Sequence, residues 1–455
     1  MNTRTIKLNK ILFYFFALLI VYLPFQRILE QILLNRGFSE SLAFWSTHWY
    51  EPVIIIILLL NCLIAIRSKC PFCHPEEPRA TKDLKGIRFF TPFRMTILVA
   101  ITLITLSIIS IFILSPTISR GIEGFRFAIF FLLAFLAAYF AGLDQKQSVK
   151  LTNIYLIMAA VFALWAIGEQ FLPANYLESF GLISAGSNFG YGTHKVVTVL
   201  QSVSGIGGPN QLASYLLPAV FMSLYKILPV SAEARAEVGN IKNKKYYYGI
   251  LIFVCILAII LTFSRSAWVG LYVGIFISAI ILIKNSWLKI ISISILLILA
   301  GGICYYYLNK PNDILTHGAS DTGHKSALNT SLNEIQNRFN QPATLLLGSG
   351  IGTAGPAALK YGDGFISESW YLQLMLELGL AGLVLWLIFV YYLLVLFYKK
   401  NQGLFSALIA VSVTAIFLHT FADNPAMSMT LFLLIGISIN LKPKDQMPNE
   451  VQVTK

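Results

Sequence analysis

Charge is what this sequence has least of. Only 12% of its 455 residues are Asp, Glu, Lys or Arg, against 56% hydrophobic. A soluble protein could not hide that much apolar surface, and repeated apolar runs of spanning length point to an integral membrane protein. Cysteine is also scarce. Of the five, Cys62, Cys255 and Cys304 sit in apolar runs, so no disulfide framework is expected. Cys70-Pro-Phe-Cys73-His74 has the spelling of a haem attachment site. That chemistry happens outside the cytoplasm, whereas this loop reads as cytoplasmic, and one CxxC supplies too few ligands to close a zinc site. No metal and no cofactor are therefore expected. A phosphate loop is missing too, because Gly348-Ser-Gly-Ile-Gly352 is not followed by Lys-Ser/Thr. The first apolar run, after Arg4, Lys7 and Lys10, lacks a small-residue cleavage site, so a removable signal is not expected.

What is present is a succession of apolar segments. We read about twelve spans: Ile11–Phe25, Pro52–Ile66, Met95–Ser115, Ile122–Leu143, Leu151–Phe171, Asn210–Leu228, Tyr247–Phe263, Ser266–Ile283, Trp287–Leu308, Gly379–Tyr398, Leu404–Phe421 and Met427–Leu441. The net charge of +13 could suggest nucleic acid, but the basic residues cluster in short loops, which is an orientation signal. Arg67–Arg94 and Lys226–Lys245 are the strongest witnesses. They put both termini in the cytoplasm and leave three sizeable outer loops: Gln26–Glu51, Leu172–Pro209 and Asn309–Trp370. The chain divides into 1–206, N-terminal helices with the first outer loops; 207–441, a second membrane region with the large loop 309–370; and 442–455, a cytoplasmic tail.

The stretch from Lys310 to Tyr371 is polar in an otherwise greasy chain, and long loops in membrane proteins are a usual seat of function. Within it, Ser331–Phe339 reads as a short helix, and Ser367–Glu377 as a helix start. Arg265 ends the segment Leu261-Thr-Phe-Ser264-Arg265. It either snorkels to headgroups or binds an anion, assisted by the backbone N–H groups of the helix that begins at Ser264–Ser266. A guanidinium suits a diphosphate because it donates two parallel hydrogen bonds. Arg338 is either a solvated helix residue or a second anion clamp. Glu368 is either a carboxylate at a helix N-terminus or a general base for a hydroxyl. His317 and His324 read as ordinary loop residues. His419 reads as a cap at the outer end of its span, on the same side as the others. Glu169 and Gln170 are weak sugar-contact candidates. Gly207-Gly-Pro-Asn210 is a turn with Asn210 as helix N-cap. The aromatic-rich second loop and Trp370-Tyr371 are candidate platforms for sugar rings.

Several of these motifs together resemble the O-antigen ligase and O-antigen polymerase superfamily. Leu261-Thr-Phe-Ser264-Arg265-Ser-Ala-Trp268 is similar to its "T-x-S-R-G/S-x-W" segment, and Leu346-Leu-Gly348-Ser-Gly350-Ile-Gly352 to its glycine turn in the large outer loop. Glu368-Ser-Trp-Tyr371-Leu-Gln-Leu374, with Glu377-Leu-Gly379-Leu-Ala-Gly382, is similar to its following helix start, and Gly208-Pro-Asn210 to the pattern before an earlier span. The resemblance runs from about Gly208 to Asn424. It implies an all-α polytopic membrane protein of the C-type glycosyltransferase kind, metal-independent, in a bacterial inner membrane with its site on the outer face. It implies a polyprenyl-diphosphate-linked oligosaccharide as donor and a glycan or lipid-glycan as acceptor, with membrane lipids as surroundings and no nucleic acid partner. Arg265 and Arg338 match the arginines thought to hold the diphosphate, and Ser264, Asn210, Trp370, Tyr371 and His419 become substrate-binding candidates. Glu368-Ser369 stands where lipopolysaccharide ligases carry His-Asn, which leans toward a polymerase or an atypical ligase. The rival expectations are a transporter or flippase of lipid-linked glycan and a non-catalytic membrane protein.

Overall fold

The computed structural model describes residues 3–67, 92–172, 195–196, 199–200, 206–227, 241–309, 318–362, 366–423 and 425–439. Apart from a two-residue hairpin, β1 Lys195–Val196 paired antiparallel with β2 Val199–Leu200, these residues build helices. The N-terminal region holds α1 Thr3–Tyr22, α2 Gln26–Asn35, α3 Glu40–Thr47, α4 Tyr50–Arg67, α5 Pro92–Ile113, α6 Ile118–Ala128, α7 Phe130–Phe140 and α8 Gln145–Gly168. After the hairpin come α9 Pro209–Ile227, α10 Ile241–Leu261, α11 Arg265–Leu282 and α12 Ser286–Asn309. The large polar stretch contributes α13 Gly318–Arg338, α14 Pro342–Leu347 and α15 Pro356–Leu359. The chain then returns through α16 Trp370–Lys400, α17 Gln402–Phe417, α18 Thr420–Asp423 and α19 Pro425–Ile439.

The expected apolar segments fall on these helices, Ile122–Leu143 divided between α6 and α7 and Leu404–Phe421 between α17 and α18, but the expected number of crossings does not follow. Among the described residues five helices are long and apolar enough to cross a membrane, or seven if α3 with α4 (bent by 43°) and α6 with α7 (bent by 56°) each count as one span. Helices α17 and α19, Gln402–Phe417 and Pro425–Ile439, are shorter than a full crossing. This architecture fits a multi-pass membrane protein. The short helix expected over Ser331–Phe339 is the end of the 21-residue α13. Asn210 is not an N-cap: Pro209 takes the first helical position of α9, where its missing N–H costs nothing, and Asn210 follows it.

Lipid-like surroundings give helices no hydrophobic reason to associate, so close backbone approach at small residues has to supply packing. On α11, a side chain at Gly270 would strike the Thr414 hydroxyl and the Ala410 carbonyl of α17. A side chain at Gly436 of α19 would strike the Phe135 carbonyl of α7. Large side chains fill the centre, where Phe131, Trp386, Phe421 and Phe432 lie ring against ring. The outward faces are aliphatic, as at Ile55, Ile56, Leu59 and Leu60 of α4.

Candidate functional site

The turn from α10 into α11 is built by local hydrogen bonds. The Thr262 hydroxyl donates to the Ile259 carbonyl at 2.6 Å and accepts the Ser264 N–H at 3.2 Å. Trp268 pins the other side, its indole N–H reaching the same Ile259 carbonyl at 3.1 Å. Between these ties Phe263 is forced to φ +52, a conformation that an aromatic residue seldom adopts. Ser264 takes the N-cap position, but its hydroxyl is not used as a cap. It donates to Asn210 Oδ1 at 2.7 Å and lies 3.3 Å from the Ser266 hydroxyl. The starts of α9 and α11, 54 residues apart, are thereby joined. Arg265, half-buried, is the first residue of α11.

The segment before α16 is shaped in a similar way. The buried Ser367 donates its hydroxyl to the Ser369 carbonyl at 3.0 Å, and Glu368, half-buried, sits at φ +60. The Trp370 N–H then donates to the Leu418 carbonyl at 3.1 Å, which fixes the start of α16 beside the end of α17. The hydroxyl of Tyr371 donates to the Ser412 carbonyl at 2.9 Å. Among the described residues Phe263 and Glu368 are the non-glycine positions with positive φ. Strained backbone persists where its surroundings hold it, and it gathers at functional sites.

These pieces meet at one end of the bundle. The Thr414 hydroxyl of α17 is 3.5 Å from the Ser266 carbonyl of α11, so the end of α17 lies beside the start of α11. The chain leaves that end through the half-buried His419 into α18 and α19. Consequently α9, α11, α16 and α19 all begin at the same end, and their dipoles bring partial positive charge there. Helix α8 runs antiparallel to α9, with Asn153 accepting from Lys226 at 2.6 Å and the Tyr155 hydroxyl donating to the Tyr215 carbonyl at 2.6 Å. Its C-terminal Glu169, fully buried, therefore reaches the same end, with Gln170 beside it. We call this region the mouth.

Two expected site residues take other roles. Trp370 is fully buried, its ring centroid 5.5 Å from Trp386 and 5.7 Å from Phe421. An indole enclosed by rings has no face left for a sugar, so Trp370 is a core residue. Arg338, 6% exposed, donates from Nη1 to the Leu376 carbonyl at 2.6 Å and from Nε and Nη2 to Glu334 at 3.2 Å. It is spent on the protein rather than presented as an anion clamp.

The Leu376 carbonyl is open to Arg338 because α16 is broken. Gly379 takes φ 68 and ψ −168 inside the helix, which releases the carbonyls of Leu376 and Glu377 from their usual partners four residues on. The glycine run fills the gap. Ser349 N–H donates to the Leu376 carbonyl at 3.0 Å and Gly350 N–H to the Glu377 carbonyl at 3.1 Å. The Glu377 side chain, 1% exposed, accepts on Oε1 from the N–H groups of Gly352 and Ala354 at 3.0 and 3.2 Å, and on Oε2 from Gln373 at 3.3 Å. Ile351 N–H goes to the Ser110 hydroxyl at 2.9 Å, and Arg120 Nε to the Gly352 carbonyl at 2.8 Å. This region is the clasp. The amides of Ser349, Gly350, Ile351, Gly352 and Ala354 are thus spent inside the protein.

Glu377 and Arg120 were not singled out from the sequence as site residues. The available signal was an acid four residues after a Gln inside an apolar helix, which membrane segments seldom tolerate without a partner. Cys70, Cys73, His74, His317, the aromatic-rich part of the second loop and the C-terminal tail lie outside the described residues, as does the side chain of His324. No family model matches the chain, and no curated protein matches it.

Proposed function

We propose that this chain is a membrane glycosyltransferase that transfers or polymerises glycan from a polyprenyl-diphosphate carrier, with its site at the mouth and that mouth on the outer face of a bacterial cytoplasmic membrane. In this reading the shorter helices complete about twelve crossings in a C-type glycosyltransferase arrangement. The observation that carries the proposal is the meeting of Asn210, Ser264, Arg265 and the Glu368 turn, brought from distant parts of the chain to the end where several helices begin. That end supplies positive potential for a diphosphate, a guanidinium at Arg265 and a carboxylate at Glu368. In the reaction, the acceptor hydroxyl attacks the anomeric carbon and its proton passes to Glu368. The bond from that carbon to the diphosphate oxygen breaks. The electron pair leaves on the polyprenyl diphosphate, stabilised by Arg265 and the helix N-termini. No metal or cofactor enters this scheme.

A second reading, movement of lipid-linked glycan across the membrane, is favoured by the breaks at Ile129 and Gly379, since transporters build their sites from interrupted helices. Reconstitution with a polyprenyl-diphosphate oligosaccharide separates the two. A transferase yields extended or transferred glycan, whereas a transporter yields unchanged donor on the opposite side. Arg265→Ala is expected to abolish turnover and weaken donor binding. Glu368→Gln is expected to lower kcat by about 100-fold or more while donor affinity holds. Near-normal turnover in both variants refutes the assignment.

A further inference from the structure

The first segment of α16, Trp370–Leu378, is a helix of about two and a half turns, cut from the remainder by Gly379. A helix that short does not hold itself in place, yet Glu368, just ahead of its N-cap Ser369, takes a left-handed conformation that has to be imposed from outside. The near end of the segment is fastened through Trp370, by its N–H on the Leu418 carbonyl and its ring among Trp386, Phe421 and Phe131. The far end is fastened through the clasp. Arg338 grips the Leu376 carbonyl, and Glu377 draws the Gly352 and Ala354 amides onto its own carboxylate. The small apolar cluster of Ile335, Ala354 and Leu376 packs beneath these contacts.

Resting on the reading of Glu368 as the base, we propose that Arg338 and Glu377 are positioning residues for the Glu368 carboxylate, acting through the detached first segment of α16, and that Arg338 does not touch the diphosphate. A base displaced by about 1 Å loses on the order of 100-fold in rate without losing the substrate. The clasp therefore governs kcat, and Arg265 governs donor affinity. Two arginines of similar appearance in the sequence are separated into a ligand and a brace.

The test is a double-mutant cycle on the full-length protein in nanodiscs, with a polyprenyl-diphosphate oligosaccharide as donor. Arg338→Gln and Glu377→Gln should each lower kcat about 10- to 100-fold and leave donor affinity within about twofold of wild type. Arg338→Lys should recover part of the loss, because an ammonium can still reach one carbonyl. In a Glu368→Gln background, Arg338→Gln should cost no further rate, since the group it positions is already gone. Hydrogen exchange, which needs no turnover, should show faster exchange of the Trp370–Leu378 amides in both clasp variants. Multiplying rate losses in the cycle, a fall in donor affinity matching that of Arg265→Ala, or unchanged exchange in the segment each overturn the proposal. Full activity of Glu368→Gln alone instead overturns the base assignment beneath it, and is read without any clasp variant.

Discussion

The mouth and the clasp draw on the same residue types, an arginine, a glutamate and a run of small residues, and use them differently. In the clasp the groups answer one another. The carbonyls freed by Gly379 meet loop amides and Arg338, and the Glu377 carboxylate is met by two amides and Gln373. The positive φ values there, at Gly348, Gly350 and Gly352, belong to glycines and cost little. At the mouth the corresponding conformations fall on Phe263 and Glu368, where they cost about 1–3 kcal/mol each. The Ser264 hydroxyl is drawn off its own helix to hold Asn210. The difference separates a region whose freed groups are met within the protein from one where the left-handed backbone falls on residues that carry side chains.

Substitutions can break this comparison. The largest expected effect is Gly348→Val in the clasp. Its φ is +81 and an added Cβ would meet the Glu377 backbone, so a loss of more than about 3 kcal/mol is expected, read as a collapse of the thermal midpoint in detergent. A midpoint near wild type would mean that the loop does not hold α16. Asn210→Ala at the mouth should behave in the opposite sense. We expect turnover to fall about tenfold, equivalent to about 1.4 kcal/mol, with the thermal midpoint little changed. Equal loss of stability and rate would make Asn210 a structural tie only. The smallest effect is expected at the edge of the clasp. Lys360 is 64% exposed and pairs with Glu123 at 2.8 Å, so Lys360→Ala should move stability by less than about 0.5 kcal/mol and leave turnover as it is.

Much of this was legible beforehand. The run Leu261–Arg265 marked a helix end and a helix start, and α11 does begin at Arg265. Glu368 stands out in the sequence by its place before an apolar run, whereas its left-handed backbone comes from the tertiary structure. Trp370 and Arg338 were misjudged for one reason. A sequence shows that an aromatic ring or a cation is present, but not whether Trp386 and Phe421 enclose the ring or the Leu376 carbonyl takes the cation. Apolar runs reveal hydrophobicity and suggest about twelve segments, whereas five to seven crossings are carried by the described helices, and the bends between α3 and α4 and between α6 and α7 leave no mark in hydrophobicity.

The length and apolarity of the runs determined that the chain is helical, because runs of about 20 residues match a crossing helix and are too long for a crossing strand. The tertiary structure decided which polar residues satisfy one another and which are gathered at the mouth. Contacts such as Ser264 with Asn210, or Arg338 with Leu376, join residues 54 and 38 positions apart. Whether such groups meet depends on how the intervening helices pack, and local sequence periodicity carries no record of that.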